Sequence, residues 1–398
     1  MKLKDLAEYL GETKGRSFIY LSLTHALIHI FTLMHVALIP VFMDEFGLST
    51  FQAGLLVTVP LITQLLVNIP GGLLSDRLGH RPLMALSLLA GGASSILVSR
   101  TTDIYGLVIS LSLLAASLSL YHPPSLSVTS ELFSERHRGK AFGIHGAGGT
   151  LGVALGPISL GLLMVDLGWR TLYLLWAIPV FFSVLPLTRV EVPHQMSQNF
   201  EAPMEQSDKS IGSLMITVNF MLLLLVIGVW WMGVRSVSTF MTTYLVAEKS
   251  LSKSEASLIF GLSPLVGVFG NSSGGFLSDR LGEKEWMTIA YAMGFVALSA
   301  VAFSPFMWML ILSYLLYGFF RFTSRAATAS LVARFTPTVH RGLAYGVFFT
   351  PIKLVEAFAP ILAAWIIEAY SIWHIFPFAL IAFFSCILLI QLMSTPKD

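Results

Sequence analysis

Charge is the scarcest property of this sequence: only 12% of its 398 residues are Asp, Glu, Lys or Arg, against roughly 25% in a soluble domain. Hydrophobic residues make up 55% and the mean hydropathy is +0.77, which excludes a soluble globular chain. A single cysteine, Cys386, excludes an internal disulfide and a zinc–thiolate cluster. The net charge of +2 and the lack of a basic run leave nothing to attract nucleic acid. There is no HExxH and no carboxylate pair in the apolar segments. An enzyme is therefore not expected, nor a cofactor. No short apolar core with a small-residue cleavage site follows the N-terminus, so a signal peptide is not expected either.

What the chain has is long apolar runs. A membrane span needs about 20 mostly apolar residues. Twelve such runs are predicted, near 18–43, 51–75, 82–99, 104–131, 140–166, 170–188, 213–246, 255–278, 286–303, 306–333, 342–367 and 372–393. Residues 1–17 form an amphipathic segment, with Leu3, Leu6, Ala7 and Leu10 at helical spacing. The polar stretch 189–211 is a linker between residues 18–188 and 212–398, each with six spans. Sixteen lysines and arginines fall at one set of span ends and four at the other. The richer side is expected in the cytoplasm, with both termini. The remaining four of the 24 are Arg235, Arg321, Arg325 and Lys353, inside spans.

The halves repeat at one offset. "GGLLSDRLGHRP" from Gly71 and "GGFLSDRLGEKE" from Gly274 are 203 residues apart, as are "HRGKAFG" from His137 and "HRGLAYG" from His340. Pro157 and Pro360, and Asn68 and Asn271, keep the same offset. Internal duplication follows. The segment Gly72-x-Leu74-Ser75-Asp76-Arg77-Leu78-Gly79-His80-Arg81 resembles the signature loop of the major facilitator superfamily, and Gly275 to Lys284 its weaker second copy. The resemblance implies an all-α membrane protein with twelve transmembrane helices in two pseudo-symmetric six-helix bundles. It also implies a central site lined by spans one, four, seven and ten, and a monomer. Asp76, Arg77, Arg81, Asp279, Arg280, Arg138 and Arg341 would then form the cytoplasmic gate.

The fifth span sets Gly148, Gly152 and Gly156 at four-residue steps before Pro157, a small-residue face for close helix packing. It is similar to the Gly-Pro signature of exporters in the superfamily. "LSLTHALIH", "YHPPS" and Arg235 in "RSVSTFMTTYL" resemble the fosmidomycin-resistance-like exporters. That branch commonly carries an Asp where His29 stands and a Glu where Pro124 stands. Both departures remove a carboxylate able to carry a proton.

Acidic residues are absent from the depth of the N-terminal spans, and histidines stand there instead. His25 and His29 are four apart, and His122 lies mid-span; His35 and His145 read as ordinary buried histidines. His25, His29 and His122 are candidates for substrate contact and for a coupled proton, which would make transport change between about pH 5 and 8. A metal is conceivable at an i, i+4 histidine pair, but no Asp, Glu or Cys is nearby to complete the usual set, so none is expected. In the C-terminal half, Arg235, Arg321, Arg325 and Lys353 face one deep acid, Glu356, a formal sum of +3. Lys353 and Glu356 are three apart, expected to pair, and further candidates for proton coupling. His122 and Arg325 are 203 apart and thus equivalent. Arg235, Arg321 and Arg325 lack acidic partners, so an anion is the expected one. Tyr121, Trp230, Trp231, Tyr317 and Phe320 are candidate aromatic walls.

The expectation is a secondary transporter of a small organic anion in the cytoplasmic membrane. It works by alternating access, proton-coupled, in the manner of an antiporter or efflux protein. Efflux of neutral or lipophilic compounds, and carriage of metals or metal chelates, are the alternatives.

Overall fold

The computed structural model describes residues 3–190, 217–335 and 341–394. Helices dominate, and no strand occurs among the described residues. They are α1 (Leu3–His29), α2 (Met34–Ala37), α3 (Ile39–Phe46), α4 (Thr50–Leu78), α5 (His80–Arg100), α6 (Ile104–Leu132), α7 (Glu135–Phe182) and α8 (Val184–Leu187). After the linker come α9 (Val218–Lys249), α10 (Lys253–Leu281), α11 (Glu283–Ala302), α12 (Met307–Phe335), α13 (Arg341–Ala369) and α14 (Ile375–Gln391). Linker residues 191–211 and the side chains of Asp76 and Arg341 lie outside the described residues.

Among the described residues, nine stretches are long and apolar enough to cross a membrane. One of them, His137–Leu187, has 51 residues and is two helices joined where Gly168 takes φ +72. Two more helices of spanning length, α12 and α13, carry charged residues within them, Arg321 with Arg325 and Lys353 with Glu356. The series is consistent with twelve passes. Residues 3–17 run on into the first pass as one helix, α1, from Leu3. One detail departs from expectation. The first pass is broken after His29 into a short 3-10 turn, α2 and α3. Pro40 explains part of that break: it has no N–H to give the Val36 carbonyl. The Leu38 N–H turns back to Met34 at 3.1 Å.

The chain divides into two compact units. Unit 1 holds Met1–Gly47, Val59–Phe200 and Ser252–Gly261; unit 2 holds Leu48–Thr58, Glu201–Leu251 and Leu262–Asp398. Each folds its copy of the repeated loop into the same contacts. In unit 1, Gly79 turns α4 into α5 with φ +85; in unit 2, Gly282 turns α10 into α11 with φ +95. Glycine enters this left-handed region without a Cβ clash. A Cβ on Gly71 would press on Leu120, and one on Gly274 would overlap Thr323. Arg81 donates to the Val190 carbonyl, and Lys284 donates to the Met393 carbonyl at 2.6 Å. His80 lies 3.7 Å from Glu131, and Glu283 lies 3.2 Å from Arg334. All of these partners are 203 residues apart. Each loop thus ties the start of its third helix to the end of its half. Arg81, one of the residues expected at the gate, is this tether in unit 1.

The glycine stripe of α7 lies on α1. A Cβ on Gly148 would be 2.8 Å from the Ser22 carbonyl oxygen, and Cβ atoms on Gly152 and Gly156 would overlap the carbonyls of Ala26 and Ile30. Pro157 is buried beside them. The two backbones touch along three successive turns, which only glycine permits.

Candidate functional site

In unit 2 the cationic residues come from three helices. Arg235 of α9 reaches across to Glu356 of α13. Glu356 also takes Lys353 at 2.7 Å, one turn away. The expected Lys353–Glu356 pair is therefore part of a triad. This corrects the reading that left Arg235 without an acid: Glu356, 2% exposed, serves two cations at once.

Arg321 and Arg325 on α12 have no carboxylate in salt-bridge range among the described residues. Arg321 is 7% exposed. Its Nη1 donates to the Ser238 hydroxyl at 3.1 Å, and its buried Nε has no hydrogen bond. Phe322 lies beneath both guanidinium groups, 4.9 Å from Arg321 and 4.4 Å from Arg325. Trp231 approaches Arg325 at 5.3 Å. Such faces offset part of a cation's desolvation and leave its hydrogen-bond donors unused. Arg325 is exposed, with donors open to a ligand. Phe322 is one of the aromatic faces the sequence offers beside these arginines; Ser238 was not singled out, and only its spacing relative to Arg235 could have indicated it.

In unit 1 the histidines gather. His25, His29 and His122 each offer a ring nitrogen, all within 4.8 Å of one another. Their ring centroids are 4.6 Å apart for His25–His29, 5.4 Å for His25–His122 and 5.0 Å for His29–His122. His145, expected to be a bystander, stacks flat on His25 at 4.1 Å. Its backbone carbonyl accepts from His25 Nδ1 at 2.8 Å. His29 Nδ1 meets the Thr32 hydroxyl at 3.0 Å. Gly149 makes room for the His25 ring, since a Cβ there would lie 2.6 Å from it.

The expected aromatic wall is mostly core. Trp230 is sandwiched between Tyr291 and Phe383, 4.1 Å from each. Tyr317 is fully buried against Tyr314 and Phe383. Tyr121 is fully buried too: it stacks on His25, and its hydroxyl lies 2.5 Å from that of Thr24. Trp231 and Phe320 are half-buried. Of the residues expected at the gate, Arg77, Asp279 and Arg280 are exposed. Arg138 donates to the Ser130 carbonyl at 3.1 Å.

A helical series consistent with twelve passes, a duplicated loop with matching contacts and polar clusters within the long helices point to a membrane transporter. The chain matches the Major Facilitator Superfamily model over residues 21–350 and 245–397, and it belongs to that superfamily. It is a multi-pass membrane transporter, not an enzyme. It is 25% identical over 360 residues to a cis,cis-muconate transport protein of Acinetobacter baylyi, covering 86% of this chain and 85% of that one. It is 22% identical over 269 residues to the fosmidomycin resistance protein of Escherichia coli, covering 66% and 65%. Its fold matches a bacterial homologue of the human lysosomal transporter Spinster, solved facing inward and unoccupied. That match has a TM-score of 0.81 at 15% identity, over 97% of this chain and 100% of the other.

Proposed function

We propose that this chain is a secondary transporter that exports a small organic anion across the cytoplasmic membrane by alternating access. One observation carries the reading: Arg321 and Arg325 stand at mid-helix while the deep acid near them, Glu356, is already engaged by Arg235 and Lys353. A guanidinium pairs with a carboxylate through two parallel hydrogen bonds. Intramembrane charge without a fixed partner points to a pathway. The named cargo of the muconate relative is itself an organic anion, which supports the class. The proposed orientation, both termini in the cytoplasm, rests on the lysine and arginine asymmetry. Export rests on the glycine-proline helix. A proton gradient is the proposed drive; Glu356, held by two cations, is not assigned as its carrier.

The test is thermal unfolding of the purified protein in detergent against carboxylates including muconate, phosphorylated compounds, lipophilic cations and neutral drugs. One anion class should raise the midpoint, by the equivalent of about 2.7 kcal/mol at 100 times its Kd. Arg321→Gln and Arg325→Gln should remove that gain while keeping the unliganded midpoint near that of the parent. Stabilisation by neutral or cationic compounds alone, or an undiminished response in both variants, would refute the anion reading. Direction and drive are read in vesicles: everted membranes should accumulate the anion, and a protonophore should abolish the accumulation.

A further inference from the structure

We propose that His25, His29 and His122 form a binding site for a divalent transition-metal ion of the zinc, cobalt and nickel class. The proposal concerns unit 1 alone and does not rest on the anion reading, which concerns unit 2.

The argument starts from one proton. A carbonyl oxygen can only accept, so the His25 Nδ1 that meets the His145 carbonyl must carry the hydrogen. His25 Nε2 then holds a lone pair. It is buried, it has no hydrogen-bond partner, and His25 is 6% exposed. A buried nitrogen lone pair without a donor is an incomplete arrangement. Nearby are ring nitrogens of His29 and His122, within the 4.8 Å spread of the group. On a tetrahedral ion with metal–nitrogen bonds of about 2.0–2.1 Å, three nitrogens lie roughly 3.4 Å apart. Small rotations of the two half-buried rings, His29 and His122, close that difference.

The surroundings are those of a ligand set. A metal-binding imidazole usually gives its other nitrogen to a carbonyl, carboxylate or hydroxyl, which fixes its orientation. His25 has the His145 carbonyl, and His29 has the Thr32 hydroxyl. The His145 ring and Gly149 hold the His25 ring from two sides. Neither carboxylate nor thiolate joins the group among the described residues. Three imidazoles favour zinc, nickel, cobalt or copper over magnesium and calcium, which need oxygen ligands. Three protein ligands also leave a position open, as in sites that exchange what they bind. The sequence argued against a metal because no acid was near. The fold supplies a third histidine instead, from a helix 93 residues further along.

The test uses tag-free, full-length protein in detergent, titrated with Co²⁺ and read by visible absorption. About one equivalent should give the intense bands of a low-coordinate nitrogen site. Zn²⁺ should displace it, and Mg²⁺ and Ca²⁺ should not. His29→Gln and His122→Gln should abolish the bands. Thr32→Val, nearly isosteric and outside the ligand set, should weaken binding about 10-fold or more. Gly149→Ala should do the same by displacing the His25 ring. Thermal midpoints identify any variant that fails to fold, and Thr32→Val keeps the test open if the histidine variants do. Folded parent protein that binds no Co²⁺, or binding equal in parent, His122→Gln and Thr32→Val, overturns the site.

Discussion

Replacing Glu356 with Gln should destabilise unit 2 by about 3–5 kcal/mol, the range seen when one partner of a buried ion pair is removed. Glutamine has nearly the same shape, so no cavity confuses the result. What changes is charge. The Glu356 side chain is 3% exposed and bonded to Arg235, itself 16% exposed, and to Lys353. Removing the carboxylate leaves the Arg235 guanidinium buried without a counterion, with Arg321 and Arg325 nearby. Lys353, half-exposed, can turn to water and adds little. The double variant Arg235→Gln with Glu356→Gln should therefore recover much of the loss. Thermal unfolding in detergent reads both. A single variant within about 1 kcal/mol of the parent, or a double variant worse than the sum of the singles, would show that Glu356 is not the counterion.

Gly152→Val should have a comparable effect in unit 1, for a reason unrelated to charge. The Cβ of any side chain at 152 falls on the Ala26 carbonyl, which is backbone and cannot rotate away. Helices α1 and α7 would have to separate, and the flanking contacts at Gly148 and Gly156 would open with them. Overpacking of a core costs about 1–3 kcal/mol when side chains can adjust. Here they cannot, so loss of monodisperse protein on size exclusion is the expected readout. Gly146 provides the control. It lies on the same helix with open space around it, so Gly146→Ala should be neutral or stabilising by about 0.5–1 kcal/mol. Equal behaviour of the two variants would mean that α7 does not lie against α1 at this register.

The spans and the duplication were legible because both are properties of pattern. Apolar runs have a length set by the bilayer, and a repeat shows itself as a constant offset. The offset even anticipated paired contacts, such as those of Gly71 and Gly274. Pattern reports which face a residue occupies and is silent about what it meets. Lys353 and Glu356 were paired correctly because they sit on one helix. Arg235 joins them from 121 residues away, and no periodicity links α9 to α13. The same limit explains His145, which stacks on His25 across a distance of 120 residues. It also explains Trp230, Tyr317 and Tyr121. An aromatic ring on a helix looks the same to the sequence whether it lines a passage or fills a core. The break in the first pass went unread because the apolar run continues through it, and one proline was not enough to mark it.

His80 with Glu131, and Glu283 with Arg334, occupy one contact with acid and base exchanged. Compared position by position, the halves disagree twice: histidine stands against glutamate, and glutamate against arginine. The two disagreements cancel when the partners are taken together. What both halves share at this contact is thus a polarity between two helix ends, held by whichever residues supply it. A single chain here carries the kind of compensated change ordinarily sought between relatives. Comparing its own halves, two columns at a time, recovers a contact that neither column discloses alone.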